Sequence, residues 1–169
     1  RHIVDNAPDV IVNTVVASNL ERNLYLTTEL IDISPKMVIA LNMYDELERS
    51  GAQFDHEALA EMIGVPMVPV VTPTGMGIEA LLDAVIAVHE NSDSRVRHIH
   101  IGYGAVIEEH LEPLNGDMRL HREELTAHFP PRYYALKLIE GDKEVAALLK
   151  TSPHYDRWHA MAEEARRNI

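Results

Sequence analysis

The chain has 169 residues, 46% of them hydrophobic and 25% charged, with a formal charge of −12. That composition describes a soluble globular protein with room for one core and a small appendage, and its acidic balance argues against a nucleic-acid partner. The lack of cysteine excludes disulfides, thiolate zinc sites and a catalytic thiol, and no apolar run approaches the length of a membrane span.

The first half alternates between strand and helix patterns. Residues 9–18, DVIVNTVVAS, form a nearly continuous β-branched run, which predicts a strand buried on both faces. A helix is predicted over 18–32, SNLERNLYLTTELID. Ser18 and Glu21 have capping-box spacing, and Leu20, Leu24, Tyr25 and Ile31 recur at helical intervals, with Leu26 and Leu30 widening the stripe. Ser34-Pro35 stops it. A second buried strand follows in KMVIALN, and DHEALAEMIG predicts a short helix with Asp55 as N-cap and Gly64 as its stop. VPMVPVVT predicts a third strand, whose two prolines place it at a sheet edge. GIEALLDAVIAVHEN is a strongly periodic helix.

This alternation implies a parallel sheet with ligands bound beyond the carboxyl ends of its strands. Those ends carry SNLERN, NMYD and TPTGMG on one rim. After residue 91 the texture changes: NSDSRVR reads as a linker, and the remainder is helical. The expected domains are therefore 1–91 and 92–169, the second a small all-α domain whose helices cover YGAVIEEHLEPL, MRLHREELTAHF (separate or continuous with it), PPRYYALKLIEGD, DKEVAALLK and YDRWHAMAEEARRNI.

The chemistry concentrates in Asn42-Met43-Tyr44-Asp45. A carboxylate fixed at a strand end accepts two parallel hydrogen bonds from a planar N–H/NH₂ edge, which guanine presents at N1 and N2 and adenine does not. Such charged hydrogen bonds contribute about 1.5–3 kcal/mol each, enough to reject the mismatched base. Asn42 can donate and accept at once and so brace neighbouring loops, and Met43 offers a polarizable stem for a ring face. Asn and Asp are also ordinary turn residues, so a plain strand-to-helix turn is the competing local reading.

The wider pattern resembles a known family. N-[KMTQ]-x-D after an apolar strand is the guanine-recognition motif of P-loop GTPases, and VVTPTGMGIEALL resembles their next base-contacting loop. With Met at the second motif position and SNLERNLYLT upstream, the chain resembles the cytosolic GTPase part of the FeoB ferrous iron transporters. GYGAVIEEHLEPL and PPRYYALKLIEGDKEV resemble the helical spacer domain that follows it there. The resemblance implies a fold of class α/β: part of a P-loop GTPase-type parallel sheet, three strands with flanking helices, then the all-α domain. It implies that Asp45 accepts from guanine N1 and N2, that Asn42 faces purine N7 and ties to the phosphate loop, and that Met43 packs on the ring. Thr72, Pro73 and Thr74 would hold the second base loop with a backbone N–H near guanine O6, and Gly75 and Gly77 would let it turn. Val16 stands where the family often has an acidic residue, and Pro73 where a small or polar one is usual.

The same resemblance implies GTP or GDP as ligand, Mg²⁺ held by residues outside this chain, and GTP hydrolysis by the intact protein at the cytoplasmic face of a bacterial inner membrane. The protein's own transmembrane domain would be a partner, homo-oligomers are compatible with it, and the helical domain would relay or modulate the signal, favouring the GDP-bound form. No G-x-x-x-x-G-K-[ST] or γ-phosphate-sensing D-x-x-G segment occurs in the 169 residues. RHIVDNAPD reads as the tail of the helix after that segment, so the chain is expected to be the guanine-recognition half alone, without catalytic residues and with weak nucleotide affinity. An interaction module with no nucleotide function is the alternative.

Other features receive plainer readings. His98 and His100 would share a face of an extended segment, but a metal site needs more ligands converging there. His121, His128, His154 and His159 form no i, i+4 pair. Glu108 and Glu109 suggest a solvated helix face, Arg95 and Arg97 a charged junction, and Trp158, Tyr155 and Met161 the apolar stripe of the last helix. No metal ligand is expected.

Overall fold

The computed structural model describes residues 8–33, 36–97, 99, 102–125 and 129–169. Expectations for the 1–7 segment, Ser34-Pro35, His98, His100 and His128 lie outside them. The contacts divide the chain into two compact units, residues 1–100 and 101–169.

In the first unit, β1 (Ile11–Val16), β2 (Met37–Asn42) and β3 (Met67–Pro69) form a parallel sheet in the order β1-β2-β3. α1 (Leu20–Ile33) crosses from β1 to β2, α2 (Tyr44–Arg49) and α3 (His56–Ile63) from β2 to β3, and α4 (Ile78–His89) follows β3. β2 is central, and Met37 to Leu41 are all buried, as its unbroken apolar run requires. Val38 and Ala40 pack with Val68, Val70, Ala84 and Val88 into the core beneath α4. Burying each such Val contributes roughly 1.5–3 kcal/mol. The prolines explain why β3 is short and at the edge. Pro66 and Pro69 have no N–H to donate, and the pairing continues through the Val70 N–H donating to Leu41 O at 2.8 Å.

Three expectations change. β1 is not buried on both faces; it alternates, with Asn13 and Val15 inward and Val12 and Thr14 exposed. Among the described strands it pairs only with β2, so its β-branched run reflects strand propensity more than burial. The Ser18–Glu21 capping box does not form, because residues 17–19 make a 3₁₀ turn and no side chain caps it. On α1 the buried face is Thr27, Leu30 and Ile31, while Tyr25 and Leu26 are 72% and 55% exposed. A polar line replaces part of the expected stripe. The Asn23 amide donates to Asn19 O at 2.6 Å, Thr27 Oγ1 lies 3.4 Å from Asn23 O, and buried Asn13 donates to Thr27 Oγ1 at 2.7 Å. Asn19, Asn23 and Thr27 succeed one another at i, i+4, so one helix face carries the ladder that fastens α1 to β1.

Segment 92–97 packs on this first unit, so the contact division falls later than the change in texture at residue 91. Arg95 donates to both carboxylate oxygens of Asp93, at 3.0 and 2.8 Å, and lies 3.6 Å from Glu57. The Arg97 N–H donates to Gly64 O at 3.1 Å, and its guanidinium donates to Glu61 O. Gly64 ends α3 in the left-handed region, and Asp55 caps its start by accepting from the Ala58 N–H at 2.9 Å.

The second unit packs α5 (Ala105–Leu120), α6 (Pro131–Glu140), α7 (Lys143–Leu149) and α8 (Tyr155–Asn168), with a 3₁₀ turn at Arg122–Glu124. α5 runs unbroken through Pro113, so the sequence to Leu120 is one helix. Pro131 opens α6 and Gly141 closes it in the left-handed region, as their chemistry dictates. Trp158 is wholly buried, and its indole N–H donates to buried Asp117 at 2.9 Å, which also accepts from Arg157 at 2.6 Å. Glu108 is no solvated carboxylate: it takes two hydrogen bonds from buried Arg132, at 3.0 and 2.6 Å, and one from the Tyr103 N–H. Glu109 is exposed.

The Asp93 pair generates a pH dependence. Hydrogen bonding from the Arg95 guanidinium holds the Asp93 carboxyl below the ordinary carboxylate range, against the opposing effect of burial. Its stabilising contribution is therefore complete above the unfolded value of about 3.9 and is lost as pH falls through the lower folded value. Asp93→Asn is expected to cost about 1–3 kcal/mol at pH 7. In urea titrations that deficit should stay level down to about pH 5 and shrink below about pH 4. A deficit independent of pH would refute the pairing as the source.

Candidate functional site

The carboxyl ends of β1, β2 and β3 form one rim, because parallel pairing sets Val16 opposite Asn42 and runs β3 beside the end of β2. At that rim Met43 has φ 57°, in the left-handed region. This turns the chain sharply out of β2 and directly into α2, placing Asp45 in its first turn. The Tyr44 N–H donates to Val70 O at 3.3 Å, so the turn is stitched to the strand beside it.

Asn42 is the junction. Its side-chain oxygen accepts from the Met43 N–H at 2.9 Å, from the Thr72 hydroxyl at 2.8 Å and from the Thr72 N–H at 3.4 Å. Two loops thirty residues apart are thereby tied together. The second loop closes on itself. The Val71 N–H donates to Met76 O at 3.0 Å, and the Thr74 and Gly75 N–H groups donate to Val71 O at 3.1 and 3.0 Å. The Thr74 hydroxyl adds a bond to Val71 O at 3.1 Å. Gly77, at φ 77°, leads into α4; a Cβ there would lie 2.0 Å from Pro69 O, so glycine is required on two counts.

All six expected residues, Asn42, Met43, Asp45, Thr72, Pro73 and Thr74, thus belong to two adjoining turns. Asn42 and Asp45 are half-buried, and the other four are exposed. Asp45 pairs with Arg49 one helical turn on, and Arg49 Nε donates to Asp45 O at 3.1 Å. A carboxylate offers about four lone-pair positions, so this pairing leaves room for another donor. One expected contact has no donor in this conformation. Pro73 has no N–H, and the N–H groups of Thr72, Thr74, Gly75 and Met76 point to Asn42 or within the loop, Met76 to Thr74 Oγ1 at 3.4 Å. A separate cavity of about 430 Å³ lies against β3 and α4, lined in part by Met67, Pro69, Ala84, Asp93 and Arg95, and none of the six rim residues lines it.

Sequence comparison resolves what the rim belongs to. Residues 1–85 match the family model described as ferrous iron transport protein B, and residues 103–169 match the FeoB cytosolic helical domain. The chain belongs to the FeoB family. It is 44% identical over 149 residues to the Fe(2+) transport protein A/Fe(2+) transporter FeoB fusion protein of Porphyromonas gingivalis, covering 88% of this chain and 18% of that one. It is 33% identical over 145 residues to Fe(2+) transporter FeoB of Salmonella typhimurium, covering 84% and 17%. The chain therefore spans less than a fifth of the length of these FeoB relatives. Among solved structures, NFeoB from S. thermophilus bound to GDP·AlF₄⁻ and K⁺ superposes with a TM-score of 0.81 at 28% identity, covering 98% of this chain and 61% of that one. The apo cytosolic domain of T. maritima FeoB shares the fold, with a TM-score of 0.74 at 22% identity, covering 99% and 67%. The expected architecture, three parallel strands with flanking helices followed by a helical region, is the FeoB one.

The missed element of this site was the partner of Asn42. Thr72 was legible as a loop residue, but nothing in the local pattern shows that its hydroxyl reaches a side chain thirty positions away.

The tie between the loops has a measurable strength. Asn42→Ala and Thr72→Val should each lower stability by about 1–2 kcal/mol, and the double variant should fall short of their sum by about 1 kcal/mol. Chemical denaturation of the four proteins gives the coupling. Strict additivity would mean that the bond contributes nothing in solution.

Proposed function

We propose that residues 1–100 supply the base-recognition half of a guanine-nucleotide-binding module, and that the whole protein is a ferrous iron transporter regulated by GTP binding and hydrolysis. The observation that carries this reading is the Asn42–Thr72 tie, which holds two turns together beside the Asp45 carboxylate. A flat purine lying on that rim would meet an acceptor for its N1–H and N2–H at Asp45, an amide at Asn42 and a thioether at Met43. The nucleotide-bound S. thermophilus relative supports the same ligand class.

The amide of Asn42 has a defined share in this. With its oxygen accepting from three donors, its NH₂ group is the end available to a base, and a donor there suits the lone pair of purine N7. The 169 residues contain no phosphate-binding loop, so phosphate, Mg²⁺ and hydrolysis are assigned to no residue of this chain. Phosphate contacts supply much of nucleotide affinity through charge-assisted bonds, and this chain alone is expected to bind GDP weakly and not to hydrolyse GTP.

Among the described residues no helix is long and apolar enough to cross a membrane. In the proposed whole protein, the module sits at the cytoplasmic face of a bacterial inner membrane and passes its nucleotide state to a transmembrane domain, with the helical unit favouring the GDP-bound form.

The test uses a polypeptide carrying this chain behind a phosphate-binding loop. Asp45→Asn replaces an acceptor with a group that donates to the xanthine carbonyl. GDP affinity should fall by at least about 100-fold, since two charged hydrogen bonds correspond to roughly 10²–10⁴-fold, while xanthosine diphosphate binding rises. Calorimetry that shows no such exchange of preference would remove Asp45 from the base site. Micromolar GDP binding by the 169-residue chain alone would refute the assignment of affinity to the phosphate contacts.

A further inference from the structure

The helical unit carries a cluster that the nucleotide reading does not use. His121, Glu124 and His154 each present one ligand atom, and these atoms all lie within 4.8 Å of one another. His121 ends α5 and begins the 3₁₀ turn of residues 122–124, and its carbonyl accepts from the Glu124 N–H at 3.0 Å. In a 3₁₀ turn, side chains at i and i+3 eclipse, so His121 and Glu124 project from the same side. His154 arrives from the residue preceding α8, and its ring stacks on that of His121 with centroids 3.8 Å apart and planes 21° apart. Its Nε2 lies 3.3 Å from Glu124 Oε1.

The carboxylate is also held from behind. Buried Ser152 donates to Glu124 Oε2 at 2.8 Å, while its own oxygen accepts from the His154 N–H at 3.1 Å. One hydroxyl therefore links two members of the trio and directs the other carboxylate oxygen toward the imidazoles. Buried Trp158 lies beside the His154 ring, with centroids 5.8 Å apart. Metal-binding residues depend on supports of this kind for their orientation.

We propose that His121, Glu124 and His154 bind a divalent first-row transition-metal ion. Two imidazoles and one carboxylate form a borderline nitrogen–oxygen set, which suits Zn²⁺, Co²⁺ or Fe²⁺ and disfavours Mg²⁺ and Ca²⁺. Ligands about 2.0–2.2 Å from such an ion stand roughly 3–4 Å apart, so the three atoms are close to ligand spacing, and the two imidazoles would turn out of their stack to bring both nitrogen lone pairs onto one ion. Three protein ligands leave a coordination position for water or a further ligand. The site is independent of the nucleotide assignment, because it involves only residues of the helical unit.

Titration of the 169-residue chain with Co²⁺ under anaerobic conditions, read by visible absorption, and with Zn²⁺, read by calorimetry, tests the assignment. One equivalent should bind, and millimolar Mg²⁺ should not compete. His121→Phe keeps a ring stacked on His154 but removes the nitrogen, and Glu124→Gln keeps an acceptor for Ser152 but removes the charge. Each should weaken binding at least ten-fold, with thermal unfolding showing that both variants remain folded. His159→Ala, outside the cluster, should bind as the parent does. Absence of stoichiometric binding, or binding unchanged in His121→Phe and Glu124→Gln, would overturn the site and leave the trio as a hydrogen-bonded His–Glu contact.

Discussion

The rim depends on one hydrogen-bond acceptor, the side-chain oxygen of Asn42. Strand β2 is buried along its length and delivers Asn42 to the sheet edge, where its backbone ends and its side chain takes over. The oxygen accepts from the residue after it and from both donors of Thr72. The β2–α2 turn and the β3–α4 loop thereby become one surface. Each of those loops is otherwise closed within itself, the second by backbone bonds and by the Thr74 hydroxyl. What the Asn42–Thr72 bond adds, beside the Tyr44 N–H to Val70 O bond, is a tie on their mutual position, on which a flat ligand spanning both would depend.

The opposite end of the same sheet logic appears at α1. An asparagine inside a β-branched strand would be costly if unpaired, and Asn13 escapes that cost by donating to Thr27. The helix continues the chain of polar bonds through Asn23 to Asn19. The string SNLERNLYLT is therefore conspicuous for a mechanical reason: its polar residues at i, i+4 lead by hydrogen bonds to Thr27, which meets Asn13 of β1, while Tyr25 and Leu26 are exposed. A reading by hydrophobic periodicity places Leu30 and Ile31 inside, as found, but misses Thr27 and wrongly adds Tyr25 and Leu26, because it has no means to know that a strand offers a polar partner.

Where local chemistry governs, the sequence was legible. Asp55, Gly64, Pro131 and Gly141 act as the caps and stops their types imply, and the apolar run of β2 is buried. The two turns of the candidate site were also visible, since a strand end followed by Asn-x-x-Asp and a Thr-Pro-Thr-Gly turn are contiguous signals. What could not be read were pairings across long separations. Glu108 pairs with Arg132 from α6, twenty-four residues on, and Asp117 accepts from both Trp158 and Arg157 of α8, pairings that no local pattern signals. His154 lies thirty-three residues from His121, and neither matches a local metal-binding spacing. Such contacts follow from how helices pack, which periodicity alone does not determine.

The geometry of the rim also divides the proposed base recognition unevenly. An amide NH₂ from Asn42 to purine N7 would be made equally with adenine or guanine, since both carry that acceptor. A ring resting on Met43 would discriminate no better. The loop at Thr72 to Met76, whose amides donate to Asn42 or to acceptors within the loop, has no donor left over for guanine O6 in this conformation, and Pro73 carries no N–H. Choice between the two purines would then fall on Asp45, whose carboxylate meets two donors in guanine and a lone pair in adenine. Arg49 already pairs with one side of that carboxylate, so the base would have to be met by its remaining lone pairs.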